Sequence, residues 1–117
     1  MSEIDKAFAE REARRLEQER ERRERVDVAA AFLTEFFDKD IAASRTLAER
    51  GITAHLDGHH LLLYQAQAGI HADPFIIAVG EQGEIDVAGR SLGRYSPDVK
   101  VGMRRELVEE ILNAFDL

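Results

Sequence analysis

No glycine or proline occurs before Gly51, and nothing else in the sequence limits the fold as strongly. Ala, Glu, Arg and Leu, all strong helix formers, dominate this segment. An unbroken helix over residues 3–50 would reach roughly 70 Å, at about 1.5 Å per residue. One domain built from 117 residues cannot cover that length. The first half is therefore expected to project or to meet another chain.

The composition of this helix changes at Val26. RRLEQERERRER, residues 14–25, holds one apolar side chain, and Ile4, Phe8 and Leu16 are too sparse for a coiled-coil seam. Glu10 with Arg14, Glu19 with Arg23 and Glu21 with Arg25 stand four apart and can each add roughly 0.2–0.5 kcal/mol to an exposed helix. Residues 1–25 are thus expected to form a charged projecting arm, and residues 26–117 a single α+β domain. Val26, Ala30, Leu33, Phe37, Ile41, Ser44 and Ala48 form one helical stripe, widened by Phe32, Phe36 and Leu47. Asp38-Lys39-Asp40 is a possible break, with Asp40 as N-cap. The stripe keeps its phase there, which favours one bent or continuous helix ending at Gly51.

ITAHLDGHHLLLYQA reads as a hairpin around Asp57-Gly58. A two-residue loop at those positions sets His55 opposite His60. It puts Ile52, Ala54, Leu56, Leu61 and Leu63 on one face and Thr53, His55, His60, Leu62 and Tyr64 on the other. PFIIAV, apolar on both sides, reads as a central strand, GEQG as a hairpin turn and EIDVAGR as a strand with one wet face. Ser96-Pro97 then starts a last helix with Val99, Met103, Leu107, Ile111 and Phe115 on its buried side. The expected fold is α+β: a long N-terminal helix (broken or not near 38–40), a four-stranded antiparallel meander, and a C-terminal helix packed on the sheet.

Charge argues against one class of partner. Residues 1–25 carry eight basic and eight acidic side chains, residues 26–117 eight and fifteen, within a net charge of −7. No basic face of the kind that binds phosphate results, so nucleic-acid binding is not expected. With no cysteine, thiolate chemistry and disulfides drop out. The charged N-terminal residues do not form a secretory leader, and no apolar run spans a membrane. A cytoplasmic location is the expectation.

His55, His60 and His71 are candidate metal ligands, since opposite positions of a hairpin bring two imidazoles together. HLDGH is not the helical zinc-protease motif, lacking its glutamate. GRSLG (89–93) matches G-x-S-x-G, but every histidine precedes Ser91 and RYSP separates it from the next helix, against the order and geometry of that nucleophile elbow. Its glycines are expected to serve a turn.

Two helices can cover one face of the sheet, which leaves apolar side chains on the other. Large exposed apolar patches mark contact surfaces. The chain is expected to be a small non-catalytic, homo-oligomeric protein-interaction module without cofactor, binding itself and a further protein. Ile4, Phe8, Leu62, Tyr64, Phe75 and Ile77 are the interface candidates. Two alternatives are a metal- or small-ligand-binding domain using the hairpin histidines, and an acidic inhibitor or adaptor. The latter requires Asp57, Glu81, Glu84, Asp86 and Asp98 to cluster.

Overall fold

The computed structural model describes residues 2–65 and 73–117. It is an α+β fold in two layers. Helix α1 (Glu3–Phe36) leads through a π turn (Phe37–Ile41) into the short helix α2 (Arg45–Glu49). Five strands follow, β1 (Ile52–Asp57), β2 (His60–Gln65), β3 (Phe75–Val79), β4 (Glu84–Val87) and β5 (Arg90–Arg94), then α3 (Lys100–Ala114). The strands form one antiparallel meander in chain order. The molecule is 68 Å long, because α1 runs well past the sheet.

Ser2 caps α1 by accepting from the Asp5 amide at 3.1 Å, and Glu3 and Asp5 place negative charge at the positive end of the helix. No residue from Glu3 to Glu24 is buried. Ion pairs line this segment, but not those the four-residue spacing suggests. Arg15 pairs with Glu12, and Arg20 reaches both Glu17 and Glu24. Arginine is long enough to reach either the preceding or the following turn, and such exposed pairs each contribute little. From Ala29 the helix turns Ala29, Phe32, Leu33 and Phe36 into the core.

The helix does not continue to Gly51. The Ala42 amide bonds to the Phe37 carbonyl, five residues back, at 2.8 Å. Ser44 then adopts an extended backbone and caps α2 by accepting from the Leu47 amide at 3.2 Å. Asp40, the N-cap had the helix broken there, instead accepts both guanidinium bonds of Arg104 on α3, at 2.6 and 2.8 Å. Its carboxylate is used between helices rather than within one.

A second ion pair joins the same helices. Lys100 donates to Glu35 at 2.9 Å and Lys39 to its other oxygen at 3.0 Å. These bonds, Lys100 first, hold the Glu35 carboxyl down at about 2, below its ordinary 4.5. A carboxylate whose folded pKa is depressed favours the fold fully above its unfolded value, and that contribution is lost as pH falls through the folded one. The Glu35 contribution is therefore complete above 4.5 and lost as pH falls towards about 2. Urea unfolding of wild type and Glu35→Gln at about pH 5.5 and about pH 3 checks this, and the gap between them is expected to narrow at the lower pH.

The sheet has five strands, not four. Ala88-Gly89, expected within the strand EIDVAGR, is instead a two-residue loop, through which Arg90–Arg94 pairs with β4. Both loop residues have positive φ, 50° and 83°, as a type I′ hairpin requires. Asn-Gly or Asp-Gly normally signals such a turn; Ala-Gly does not, because alanine is strained there. Left-handed backbone costs an alanine about 1 kcal/mol. Ala88→Asn is accordingly expected to stabilise the fold by about 1 kcal/mol in urea titration. Further along, β5 gains an extra residue between its pairings with Asp86 and Glu84, and Gly93 (φ 106°) stands in this bulge.

One core lies between helices and sheet. Ile52, Leu61, Leu63, Ile77, Val79, Ile85 and Val87 from the strands meet Phe32, Leu33 and Phe36 of α1 and Met103, Leu107 and Ile111 of α3. Phe32 also stacks on Tyr95, centroids 4.4 Å apart. Every buried strand residue points to the same side, so α1 and α3 both cover one face. No described strand residue on the opposite face is buried.

Candidate functional site: an interaction surface

The uncovered face of the sheet follows from the strand register. Asp57 pairs with His60, His60 with Ala78, Ala78 with Asp86 and Asp86 with Ser91, forming one row across all five strands. The next row is His55, Leu62 and Ile76, and Thr53 lies opposite Tyr64 beyond it. Leu62, Tyr64, Ile76 and Ala78 form its apolar part. Tyr64 is 40% exposed and Ile76 37%, whereas Leu62 and Ala78 are half-buried.

Two expected interface residues are corrected here. Ile77 is fully buried in the core. Phe75 points to the same helix side, where its ring meets Phe115 edge-on at 6.0 Å. The side chains of FIIAV on the open face are Ile76 and Ala78. Both sides of this strand are apolar, so its sequence alone does not reveal its phase. The register with β2 does, since Leu61 opposes Ile77 and Leu62 opposes Ile76. The long connection between β2 and β3 hides that parity from the sequence.

Ile4 and Phe8 lie one turn apart near the start of α1, 80% and 65% exposed. At the base of this projecting segment lies a groove of about 400 Å³, lined by Glu21, Glu24, Arg25 and Val28 on one side and Arg94 to Pro97 on the other. Gly83 packs against the backbone of Arg25 at this point. The Arg25 guanidinium reaches Gln82 at 3.3 Å.

The histidines are arranged differently from the expectation. The loop residues are Gly58 and His59, so Asp57 opposes His60 and His55 opposes Leu62. Gly58 has a φ of 58° and His59 is not at positive φ, which is the pattern of a type II′ turn with glycine first. The register differs by two residues from that expected. The two faces are unchanged, but His55 and His60 become diagonal neighbours, about 7–8 Å apart at their Cα atoms. His71 lies outside the described residues. Among the described residues, no three His, Cys, Asp or Glu side chains converge as a metal site would require.

Ser91 is on the open face beside Asp86, and its hydroxyl accepts from the Gly93 amide at 3.1 Å. Burial, together with the neighbouring Glu84 charge, pushes the Asp86 carboxyl up, against the hydrogen bond from Ser91. His60 is in the same row but three strands away, about 14 Å at a spacing of ~4.8 Å. That is beyond proton-transfer reach of Ser91. In GRSLG, Gly89 forms the hairpin turn and Gly93 the bulge.

Of the acidic residues, Glu84 and Asp86 are neighbours, whereas Asp57 stands apart from them. Asp57 and Asp86 share a row three strands apart, and Glu84 lies opposite Arg94. Glu84 is also engaged locally, accepting from the Gln82 amide at 2.9 Å.

Compared with known proteins, the chain matches no family model, no curated protein and no solved structure. No described helix is long and apolar enough to cross a membrane.

Proposed function

We propose that this chain is a small non-catalytic interaction module that associates with itself through the open face of its sheet and presents the first part of α1 to a further protein. The observation that carries this is the row of Leu62 and Ile76, flanked by Tyr64 and Ala78, on the face opposite both helices. Apolar area left in water is unfavourable by about 25 cal/mol per Å². Two copies related by a two-fold axis can cover the same patch on each other. His55, Thr53 and His60 supply a polar rim, the usual surround of an apolar contact.

The exposed length of α1 supports the second part. Its charges are balanced and partly paired along the helix, so the segment can stand in water without covering the sheet. Ile4 and Phe8 are then the side chains available to anchor it in a partner's groove, as amphipathic helices do with residues four apart. Deleting residues 2–20 is expected to leave thermal stability nearly unchanged, because none of them is buried. Self-association through the sheet is expected to survive, while capture of a host protein by the full chain is lost. Light scattering and pull-down with the two chains check these outcomes. A truncated chain that retains the captured protein would remove the arm from the proposal.

A further inference from the structure

The two edges of the sheet are unlike each other. β5 carries a bulge at Gly93 and arginines at both ends, devices that discourage strand addition. β1, ITAHLD, is regular over its whole pairing with β2 and holds no lysine, proline or bulge. Its hydrogen-bonding direction follows from the next strand. The His59 carbonyl accepts from the Val79 amide at 2.9 Å, so His59, Leu61 and Leu63 direct their backbone groups to β3. His60, Leu62 and Tyr64 direct theirs to β1, where they meet Asp57, His55 and Thr53. Ile52, Ala54 and Leu56 therefore turn their amides and carbonyls outward, and among the described residues these meet no partner.

Beside this edge is an apolar hollow of about 200 Å³, lined chiefly by Phe37, Ile41, Leu47, Ala48, Ile52 and Ala54. Leu56 itself is only half-buried.

We infer that β1 pairs antiparallel with β1 of a second copy, about a two-fold axis at Ala54, joining two sheets into one. This rests on the self-association proposed above and adds a second contact to it. Three features select this occupant and register. Ala54 meets Ala54, which lets the chains approach without a bulky pair at the axis. Ile52 meets Leu56 of the second copy, so that leucine enters the hollow and the outward backbone groups of all three residues are satisfied. Asp57 falls opposite Gly51 of the second copy, next to its Arg50, bringing opposite charges together at both ends. The open faces of the two copies become continuous, which lengthens the surface formed by Leu62 and Ile76.

The chain has no cysteine, so single introduced cysteines report directly. Residues paired at the axis have Cα atoms about 5.5 Å apart, within the roughly 4.4–6.8 Å that a disulfide bridges. Mild oxidation is expected to convert most of Ala54→Cys into a covalent dimer and to leave Val101→Cys, exposed on α3 away from both contacts, uncrosslinked. Ala54→Pro removes an outward amide and spares the bonds to β2, so it is expected to stay folded by circular dichroism while its mass in sedimentation falls. An Ala54→Cys chain that does not crosslink, or an Ala54→Pro chain that is folded with wild-type mass, overturns the inference. If Ala54→Pro fails to fold, the crosslink alone decides. Ile76→Lys separates the two contacts. If it lowers the mass while Ala54→Cys fails to crosslink, the face stands and the edge falls. If it leaves the mass unchanged while Ala54→Cys crosslinks, the edge stands and the face falls.

Discussion

Ile76→Lys is expected to leave the fold intact and weaken self-association, whereas Ile77→Lys, one residue along, is expected to prevent folding. The two side chains leave opposite sides of β3. Ile76 is 37% exposed and Ile77 has no exposure. Lysine at the first position extends into water, and surface changes of this kind usually alter stability by less than about 0.5 kcal/mol. Lysine at the second must bury an ammonium among Leu61, Val87 and the helices without a counter-charge. The lost packing and the desolvated charge together cost about 4–5 kcal/mol or more. Small domains have about 5–15 kcal/mol in total. Circular dichroism and urea titration separate the two outcomes. A folded Ile77→Lys with an unfolded Ile76→Lys would mean that the strand is turned over.

Gly83→Ala is the second substitution with a large expected effect. Gly83 has a φ of 78°, which an alanine adopts at a cost of about 1–2 kcal/mol. Its Cβ would also stand 2.9 Å from the Arg25 carbonyl oxygen and 3.0 Å from the carbonyl carbon and Cβ of that residue. These are the backbone and the root of a side chain in the middle of α1, not the tip of a flexible group. Either the loop or the helix must shift, and α1 carries much of the core. The total expected is about 2–4 kcal/mol, or a fall of roughly 10 °C in Tm. Gly51→Ala is the control. Gly51 also has positive φ, 71°, but nothing lies within 4 Å of the position a Cβ would take. Its loss is expected to be about 1–2 kcal/mol, so the difference between the variants isolates the contact between loop and helix.

Why some elements were legible in the sequence and others not is visible residue by residue. Helical periodicity placed Leu33 and Phe36 in α1 and Met103, Leu107 and Ile111 in α3, because a core-facing stripe is imposed by burial itself. Alternation similarly separated Leu61 and Leu63 from Leu62 and Tyr64, and a two-residue error in register left those faces unchanged. Three other features depended on information that local pattern does not carry. Ala88 occupies a strained turn position, so the hairpin into β5 lacked its usual signal. The π turn carries the break past Asp40 to Ser44, which caps α2, while Asp40 pairs with Arg104, far away in the chain. The phase of PFIIAV was set by its neighbour β2, since both its sides are apolar. Alternation therefore puts Leu62 and Tyr64 on the side of the sheet where the structure has them, but not Ile76 and Ala78, in whose place it offers Phe75 and Ile77.

The expected meander puts ITAHLD at one end of the sheet, but which of its residues turn their backbone groups outward appears only with the register. The contrast with β5, which has Gly93 and its flanking arginines, is what gives the edge meaning.

The proposed self-association requires that one copy leave apolar sheet surface that another copy covers. Equilibrium sedimentation of the full chain, from about 1 to about 200 µM, tests it most directly over the range in which interfaces of modest size assemble. A mass rising with concentration to at least twice the 13.2 kDa of the chain is expected. A mass that stays at that of one chain throughout would contradict it.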